Sequence, residues 1–395
     1  MIGDGWDGDG GERPGPRVPD GRRHVAVVTG SRAEFGLLRP VMHAVAARPE
    51  MQLMVVAAGS HLILPSLTFR DVKAEFAVAD SVPMQLAGRS GRVEDAHAVA
   101  RGIARFTRSF VALAPDWVVV LGDRIEAFAA ASAASIGGWA LAHIHGGDRA
   151  EGIADEAMRH AISKLAHVHL AATEASAERL RRMGERPEHV HVIGSPAIDD
   201  LAGFPEVSDE RAREWGDPDT LVLMHPVGRT AEAEEAGMHA LLAACRGLGR
   251  TPLVLHPNHD AGRTGILRAI QGSGLRAVEH LPRPQFVGVL KRLARRGGVM
   301  LGNSSAGLIE AAALGLPVVD LGTRQSGRER AANAVHVTNE FEEDIGRGIT
   351  SALGHGRPAV PEHPYGDGRA GLRAADILSR TDPRDARLLR KHNTY

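Results

Sequence analysis

The amino-acid sequence predicts an α/β protein built from two Rossmann-like, doubly wound domains in series. Three observations lead there. Short runs that are apolar throughout alternate with stretches of helical periodicity, the pattern of parallel strands covered on both faces. That pattern breaks once, around residues 201–218, and then restarts. The chain has 395 residues, more than one core usually holds.

The elements follow in order. Residues 24–30 (HVAVVTG) form a β-branched run ending in glycine. The next segment spaces Leu37, Leu38, Val41, Met42 and Val45 as one face of a helix. Met51–Ala58 predicts the second strand. Two more, 117–121 and 140–144, flank a helix over 126–136, and 167–171 and 189–193 complete the first sheet. Pro205, Pro218 and the charges between them predict a linker. The second unit then supplies strands at 220–224, 252–256, 298–301 and 317–321, each with a helix after it. Domains are therefore expected over 24–204 and 219–365. Residues 1–23, rich in Gly, Asp and Arg with no apolar core, read as a disordered leader and not a secretory signal. Residues 366–395 hold a last helix, and 380–395 read as a charged surface tail.

Composition narrows the function. Hydrophobic residues make up 43% and charged residues 24%, and the formal net charge is −1. Nothing there favours nucleic acid or a membrane surface as a partner, so any phosphate site must be local. No apolar run approaches the ~20 residues that span a bilayer. The single cysteine, Cys245, falls in a helix predicted over 238–248 and reads as a buried, inert thiol. One thiol makes no internal disulfide, and a cytoplasmic protein is expected.

Open α/β sheets hold ligands beyond the carboxyl ends of their strands, so the residues just after each strand are the candidates. After the first strand comes Thr29-Gly30-Ser31-Arg32-Ala33-Glu34-Phe35-Gly36. The glycine permits a tight turn, and the helix N-terminus behind it offers N–H groups to an anion. Arg32 is of the type that clamps a phosphate, and equally of the type that decorates a surface turn; this is not a GxGxxG fingerprint. After 117–121 comes Gly122-Asp123-Arg124, where Asp123 is either a helix cap or a catalytic carboxylate. The densest segment follows 140–144: His143, His145, Gly146, Gly147, Asp148, Arg149 and Glu151, then Asp155, Glu156, Arg159 and His160. Asp155 and Arg159 stand four apart and can pair on one helix face, although acids in a first turn also simply suit the helix dipole. The histidines lack HExxH or similar ligand spacing, which ranks general acid–base work above a metal site.

In the second half, His225-Pro226 and His256-Pro257-Asn258-His259-Asp260 end strands; such a histidine titrates near neutrality or merely hydrogen-bonds. Gly302-Asn303-Ser304-Ser305-Ala306-Gly307 precedes a helix predicted over 308–314. Hydroxyls and free N–H groups there make a phosphate cradle that needs no lysine, or Ser304 is only the cap. Glu310, a turn in, suits two sugar hydroxyls.

Six segments in order, GSRAEFG at 30–36, GDR at 122–124, HIHGGD at 143–148, DEAMRHAISK at 155–164, GNSS at 302–305 and LGTRQ at 321–325, resemble the hydrolysing UDP-N-acetylglucosamine 2-epimerases. These enzymes supply N-acetylmannosamine for sialic acid and related sugars. The resemblance runs from Val25 to His336. It implies a glycosyltransferase-B-type architecture, with UDP on the second domain, the sugar and catalytic side on the first, and a final helix over 368–379 crossing back. It implies removal of the C2 proton with departure of UDP, then hydration with inversion to release the free C2 epimer. No metal and no redox cofactor is implied, and a homo-oligomer, dimer or tetramer, is. Asp123 and Asp155 match acid/base groups, and His225 matches a histidine near sugar and diphosphate. Arg32, Ser304, Ser305 and Arg324 match diphosphate contacts and Glu310 a ribose-binding carboxylate. Arg159 and Asp199 match further polar positions, and Arg124 joins the substrate-binding group through its motif.

The chain departs from the family pattern where the sugar would lie. Animal-type members carry a catalytic glutamate at the place of His145, Asp148 replaces a usual glutamate, and one residue is inserted between Asp148 and Gly152. The second base is then His145, Asp148 or Glu151. The alternatives are the same chemistry on another nucleotide sugar (a diacetamido-trideoxy sugar or one from a specialised-metabolite pathway), a non-hydrolysing epimerase, a glycosyltransferase-B-type transferase, or a sensor that binds without turnover.

Overall fold

The computed structural model describes residues 21–64, 68–89, 91–150, 156–258, 262–356 and 361–394. Within them the chain forms two parallel sheets. The first holds β1 (Arg23–Thr29), β2 (Met51–Ala58), β3 (Val78–Val82), β4 (Trp117–Leu121), β5 (Ala140–Ile144), β6 (Val168–Ala171) and β7 (Val190–Val192), in the order β3-β2-β1-β4-β5-β6-β7. The second holds β8 (Thr220–Leu223), β9 (Pro252–Leu255), β10 (Ala277–Val278), β11 (Val299–Gly302), β12 (Val318–Leu321) and β13 (Ala334–Val337), in the order β10-β9-β8-β11-β12-β13. Each order reverses once, between β1 and β4 and between β8 and β11. Doubly wound sheets hold their ligands at such reversals.

Both faces of the sheets are covered, which is why the strands read as unbroken apolar runs. Val25, Val27 and Val119 point into one core layer, while Ala26, Val28, Val118 and Val120 point into the other. In the first domain α1 (Arg32–Ala46), α2 (Phe69–Glu75), α3 (Arg92–Leu113), α4 (Ile125–Ile136), α5 (Glu156–Leu165) and α6 (Glu174–Arg182) follow strands β1 to β6. The short helix α7 (Asp209–Glu214) lies in the predicted linker. Then α8 (Ala231–Gly247), α9 (Arg263–Ser273) and α10 (Arg283–Arg296) follow β8 to β10, and α13 (Glu342–His355) follows β13. Cys245 is buried within α8, where burial pushes its thiol up to about 12.

Four sequence expectations change. β1 begins at Arg23, which pairs with Met51, so the predicted leader is too long at its end; its residues 1–20 lie outside the described residues. The helix expected over 308–314 is two short pieces, α11 (Ser305–Leu308) and α12 (Glu310–Ala313), with a distorted right-handed turn at Ile309 (φ −105°, ψ −72°) between them. No helix follows β12; the chain loops through residues 322–333 and forms β13. The tail is not merely surface. After α14 (Ala370–Arg380), α15 (Ala386–Leu389) buries Leu388, and Lys391 Nζ donates to the Ser163 and Ala166 carbonyls at 2.9 and 2.6 Å and meets the buried Glu185 at 2.6 Å.

The helix α14 packs on α1 in the first domain. Ala374, Ala375 and Leu378 share a core with Leu38, Val41 and Met42, and Gly371 lies so close to Pro40 that a methyl there would stand 2.6 Å from its backbone. Among the described residues, no helix is long and apolar enough to cross a membrane.

Candidate active site

The turn after β4 carries Asp123. Gly122 supplies a left-handed turn (φ 75°), and α4 is then capped by the Arg124 backbone with no side-chain bond. Asp123 is therefore not the cap of α4. Its carboxylate makes an ion pair with Arg159, a buried side chain on α5 that also donates to the His145 carbonyl at 3.2 Å. The partner expected for Arg159 was Asp155. Asp155 and Glu151 lie outside the described residues.

The turn after β5 makes a closed polar knot. His145 takes a left-handed conformation (φ 61°) and is buried. Its Nδ1 lies 2.8 Å from Asp148 and its Nε2 3.0 Å from the Ser195 hydroxyl. Asp148 also accepts from the Ser176 hydroxyl at 2.8 Å and faces Arg328 of the second domain at 3.6 Å. Burial opposes its charge, but His145 and the two arginines Arg328 and Arg159 hold its carboxyl below the usual range. Both imidazole nitrogens and both carboxylate oxygens thus have protein partners. The two described candidates for the second base, His145 and Asp148, are thus held to each other, with Ser195 and Ser176 on their outer sides.

In the second domain Gly302 (φ 134°) lets β11 approach β8; a methyl on it would stand 2.0 Å from the Leu223 carbonyl. The approach brings Asn303 alongside His225, where its amide accepts from the His225 N–H at 2.7 Å and donates to the His225 carbonyl at 2.8 Å. His225 Nδ1 accepts from the Asn258 N–H at 3.1 Å. Burial and Arg324 push this ring down to about 3, so it is neutral with its proton on Nε2. Arg324 and Gln325, from the loop after β12, donate to the Asn303 carbonyl at 3.3 and 3.0 Å. Ser304 caps α11, accepting from the Ala306 N–H at 3.4 Å, and Ser305 is its first residue. His225, Ser304, Ser305 and Arg324 are thus one cluster. Asn303, quoted in the motif but given no role, is its organiser.

Arg32 is exposed at the start of α1. Arg124 donates to the fully buried Glu126 at 3.2 Å. Glu310 is buried and accepts from Arg283 at 3.3 Å, and Arg283 also holds Asp200 at 2.9 Å. Asp199 is partly buried. Its two oxygens accept from the Ala370 and Gly371 N–H groups at 3.0 and 2.6 Å, capping α14. Asp199, expected among the polar positions near the site, thus holds the start of α14.

The two strand-end surfaces meet. Arg179 and Thr173 of the first domain bind Glu329 at 3.1 Å each, Arg328 donates to the Arg149 carbonyl at 3.3 Å, and the Tyr365 hydroxyl donates to the Glu329 carbonyl at 2.5 Å. These contacts join the loops after β5 and β6 of the first domain to the loop after β12 of the second. No group of three or more His, Cys, Asp or Glu side chains among the described residues is arranged to hold a metal ion.

A family model described as UDP-N-acetylglucosamine 2-epimerase matches residues 43–379. The chain belongs to this family. It is 36% identical over 385 residues to the UDP-N,N'-diacetylbacillosamine 2-epimerase (hydrolyzing) of Legionella pneumophila, covering 94% of this chain and 100% of the relative. It is 32% identical over 330 residues to a UDP-N-acetylglucosamine 2-epimerase of Neisseria meningitidis, covering 80% and 84%. The fold superposes on that of the Methanocaldococcus jannaschii UDP-GlcNAc 2-epimerase in complex with UDP-GlcNAc and UDP, with a TM-score of 0.76, 16% identity and coverage of 91% and 100%. The architecture is the glycosyltransferase-B-like one expected.

Proposed function

We propose that this chain is a hydrolysing 2-epimerase that converts a UDP-2-acetamido sugar to UDP and the free C2 epimer. The observation that carries the reading is Asp123, left uncapped at the tip of β4 and paired with the buried Arg159. A carboxylate so placed, at the sheet reversal, is a base fixed by its partner. Asp123 takes the proton from sugar C2 while the C1–O bond breaks and UDP leaves with the bonding electrons. A C1–C2 double bond results. Water then adds, hydroxyl to C1 and proton to C2 on the opposite face. Elimination and hydration are redox-neutral, so no redox cofactor enters the balance.

The second domain, 219–365, takes the UDP in this reading, and the first, 24–204, the sugar. Neutral His225 serves as an Nε2–H donor to the diphosphate and not as a base. Ser304, Ser305, Arg324 and, from the first domain, Arg32 and Arg124 complete the anion site, with Glu310 for the ribose. Stabilising the departing diphosphate in a preorganised polar site is what lets a weak carbon acid react. Asp155 remains the candidate partner of Asp123 in returning a proton. His145 and Asp148, being closed on each other, shape the sugar pocket.

Two sugars compete. UDP-N-acetylglucosamine is one, and the high identity to the Legionella relative over almost the whole chain favours a UDP-diacetamido-trideoxy sugar as the other. Proton NMR in deuterated water with each substrate decides. Free sugar deuterated at C2, together with UDP, is the expected product. Retention of UDP on the epimerised sugar would make the enzyme non-hydrolysing, and no exchange at C2 with either substrate would remove the base role from Asp123.

A further inference from the structure

Two buried acids behind Asp123 have no part in the mechanism above. Glu126, in the first turn of α4, is fully buried between the tips of β1 and β2. Gly30 and Gly59 make its chamber: a methyl on Gly30 would stand 2.5 Å from Glu126 Cβ, and one on Gly59 (φ 54°) 2.3 Å from its Cγ. One carboxylate oxygen accepts from the Ser60 N–H at 3.4 Å, and the other accepts from Arg124 Nε at 3.2 Å. Glu34 closes the chamber from α1. Its carboxyl accepts from the Gly30 N–H at 2.9 Å and lies 3.3 Å from the Ser31 hydroxyl, which caps α1. The same glycine thus touches both acids.

We propose that Glu126, seated between Gly30 and Gly59 and backed by Glu34, is a positioning residue that holds Arg124 in the cleft beside Asp123. The inference rests on reading the cleft as a nucleotide-sugar site. An arginine next to a catalytic aspartate has a nearer acid to fold onto. A carboxylate fixed from behind draws the guanidinium off Asp123 and aims it at an incoming anion. Glu34 is protonated near neutrality. Burial, then Glu126, push Glu34 up to about 8, with Arg124 and the Gly30 N–H acting the other way and Asp123 adding to the rise. Also near Arg124 is His61, buried between the Thr29 and Thr68 hydroxyls at 2.9 and 2.6 Å and pushed down to about 4 by burial and by Arg124 and Arg32, so it is neutral. Neutral Glu34 leaves Glu126 as the acid that faces Arg124.

The test is a double-mutant cycle read by calorimetric titration of the full chain with UDP. Glu126→Gln keeps the shape of the chamber and removes the charge; UDP affinity is expected to fall about tenfold, as Arg124→Met does alone, and the double variant to fall no further than either. A purely structural acid would give losses that multiply, or none in Glu126→Gln, and either result overturns the proposal while leaving the site reading intact. Failure of the unaltered chain to bind UDP overturns both. If Glu126→Gln does not fold, Glu126→Asp, which keeps the charge but retracts it, carries the same cycle. A separate readout covers the pair. Glu34 with a raised pKa stabilises the fold fully below about 4.5 and loses that contribution as pH rises through about 8. Glu34→Gln should therefore gain on the unaltered chain in thermal midpoint between pH 5 and pH 9; a difference that stays constant with pH contradicts the pairing.

Discussion

The Ser163 hydroxyl lies 3.1 Å from Nδ1 of His143, and this contact joins β5 to the helix that carries Arg159. The other ring nitrogen lies 2.8 Å from the Gly122 carbonyl, one residue before Asp123. Burial pushes His143 down to about 3, so the ring is neutral. Nε2–H then donates to Gly122, and Nδ1 faces the Ser163 hydroxyl, which also lies 3.1 Å from the Arg159 carbonyl. One buried imidazole thus sets the backbone on both sides of the Asp123–Arg159 pair.

His143→Leu takes that partner from the buried Gly122 carbonyl, which costs about 1–3 kcal/mol when unsatisfied, while the Ser163 hydroxyl keeps the Arg159 carbonyl at 3.1 Å. The thermal midpoint should drop. The catalytic constant should fall at least roughly tenfold, since a misplacement worth 1.4 kcal/mol at the transition state already does that. UDP affinity should fall less than the catalytic constant, because most of the proposed UDP ligands lie in the second domain. Steady-state kinetics beside UDP titration would expose an error: equal losses in both would mean general unfolding and no positioning.

Asp123→Asn keeps the size of the side chain but removes the base and its charge against Arg159. Exchange of the C2 hydrogen with solvent should vanish and UDP affinity should change little. Turnover at the original rate in deuterated water would hand the base role to another group.

Much of this was readable from the chain. Strands buried on both faces announce themselves as unbroken apolar runs, so β1, β4, β5, β8 and β12 needed no tertiary information. β3 (VADSV) and β13 sit at sheet edges, half exposed, and β10 has two residues; their patterns carry little signal. The site residues fell after the strands, as the fold rule requires. The bonds of Asp199 to Ala370 and Gly371 were not legible, because these partners lie more than 170 residues away and no local pattern reveals them. Glu34 and Glu126 went unassigned, though the Ser31-x-x-Glu34 spacing is that of a capping box, whose N3 acid reaches back toward the cap. The roles of His145 and Asp148 depended on Ser195, Ser176 and Arg328, which only folding brings together.

Ser304→Ala with Ser305→Ala removes the cap of α11 and two hydroxyls from the anion site. Loss of an N-cap costs about 1 kcal/mol. UDP affinity should fall by more than tenfold if both hydroxyls meet the diphosphate, and binding of uridine alone should be nearly unaffected. A parallel loss for uridine would place the damage in the loop's shape.

Acid should weaken the fold through Glu185. This side chain is buried, accepts from His169 at 2.8 Å and meets Lys164 at 2.7 Å and Lys391 at 2.6 Å. Burial opposes its ionisation, but His169 and the two lysines win and hold it at about 2. A depressed carboxyl contributes stability that is complete above the unfolded value near 4.5 and disappears as pH falls through about 2. The shift corresponds to stability on the order of 3 kcal/mol at neutral pH. Glu185→Gln cannot make that contribution and leaves Lys391 less neutralised at the end of α5. Urea unfolding at pH 7, 4.5 and 3 should show the variant weaker at pH 7 and the gap closing below pH 4.5. A gap of the same size at pH 3 would show that the variant loses packing and that the charge of Glu185 does not hold the tail to α5.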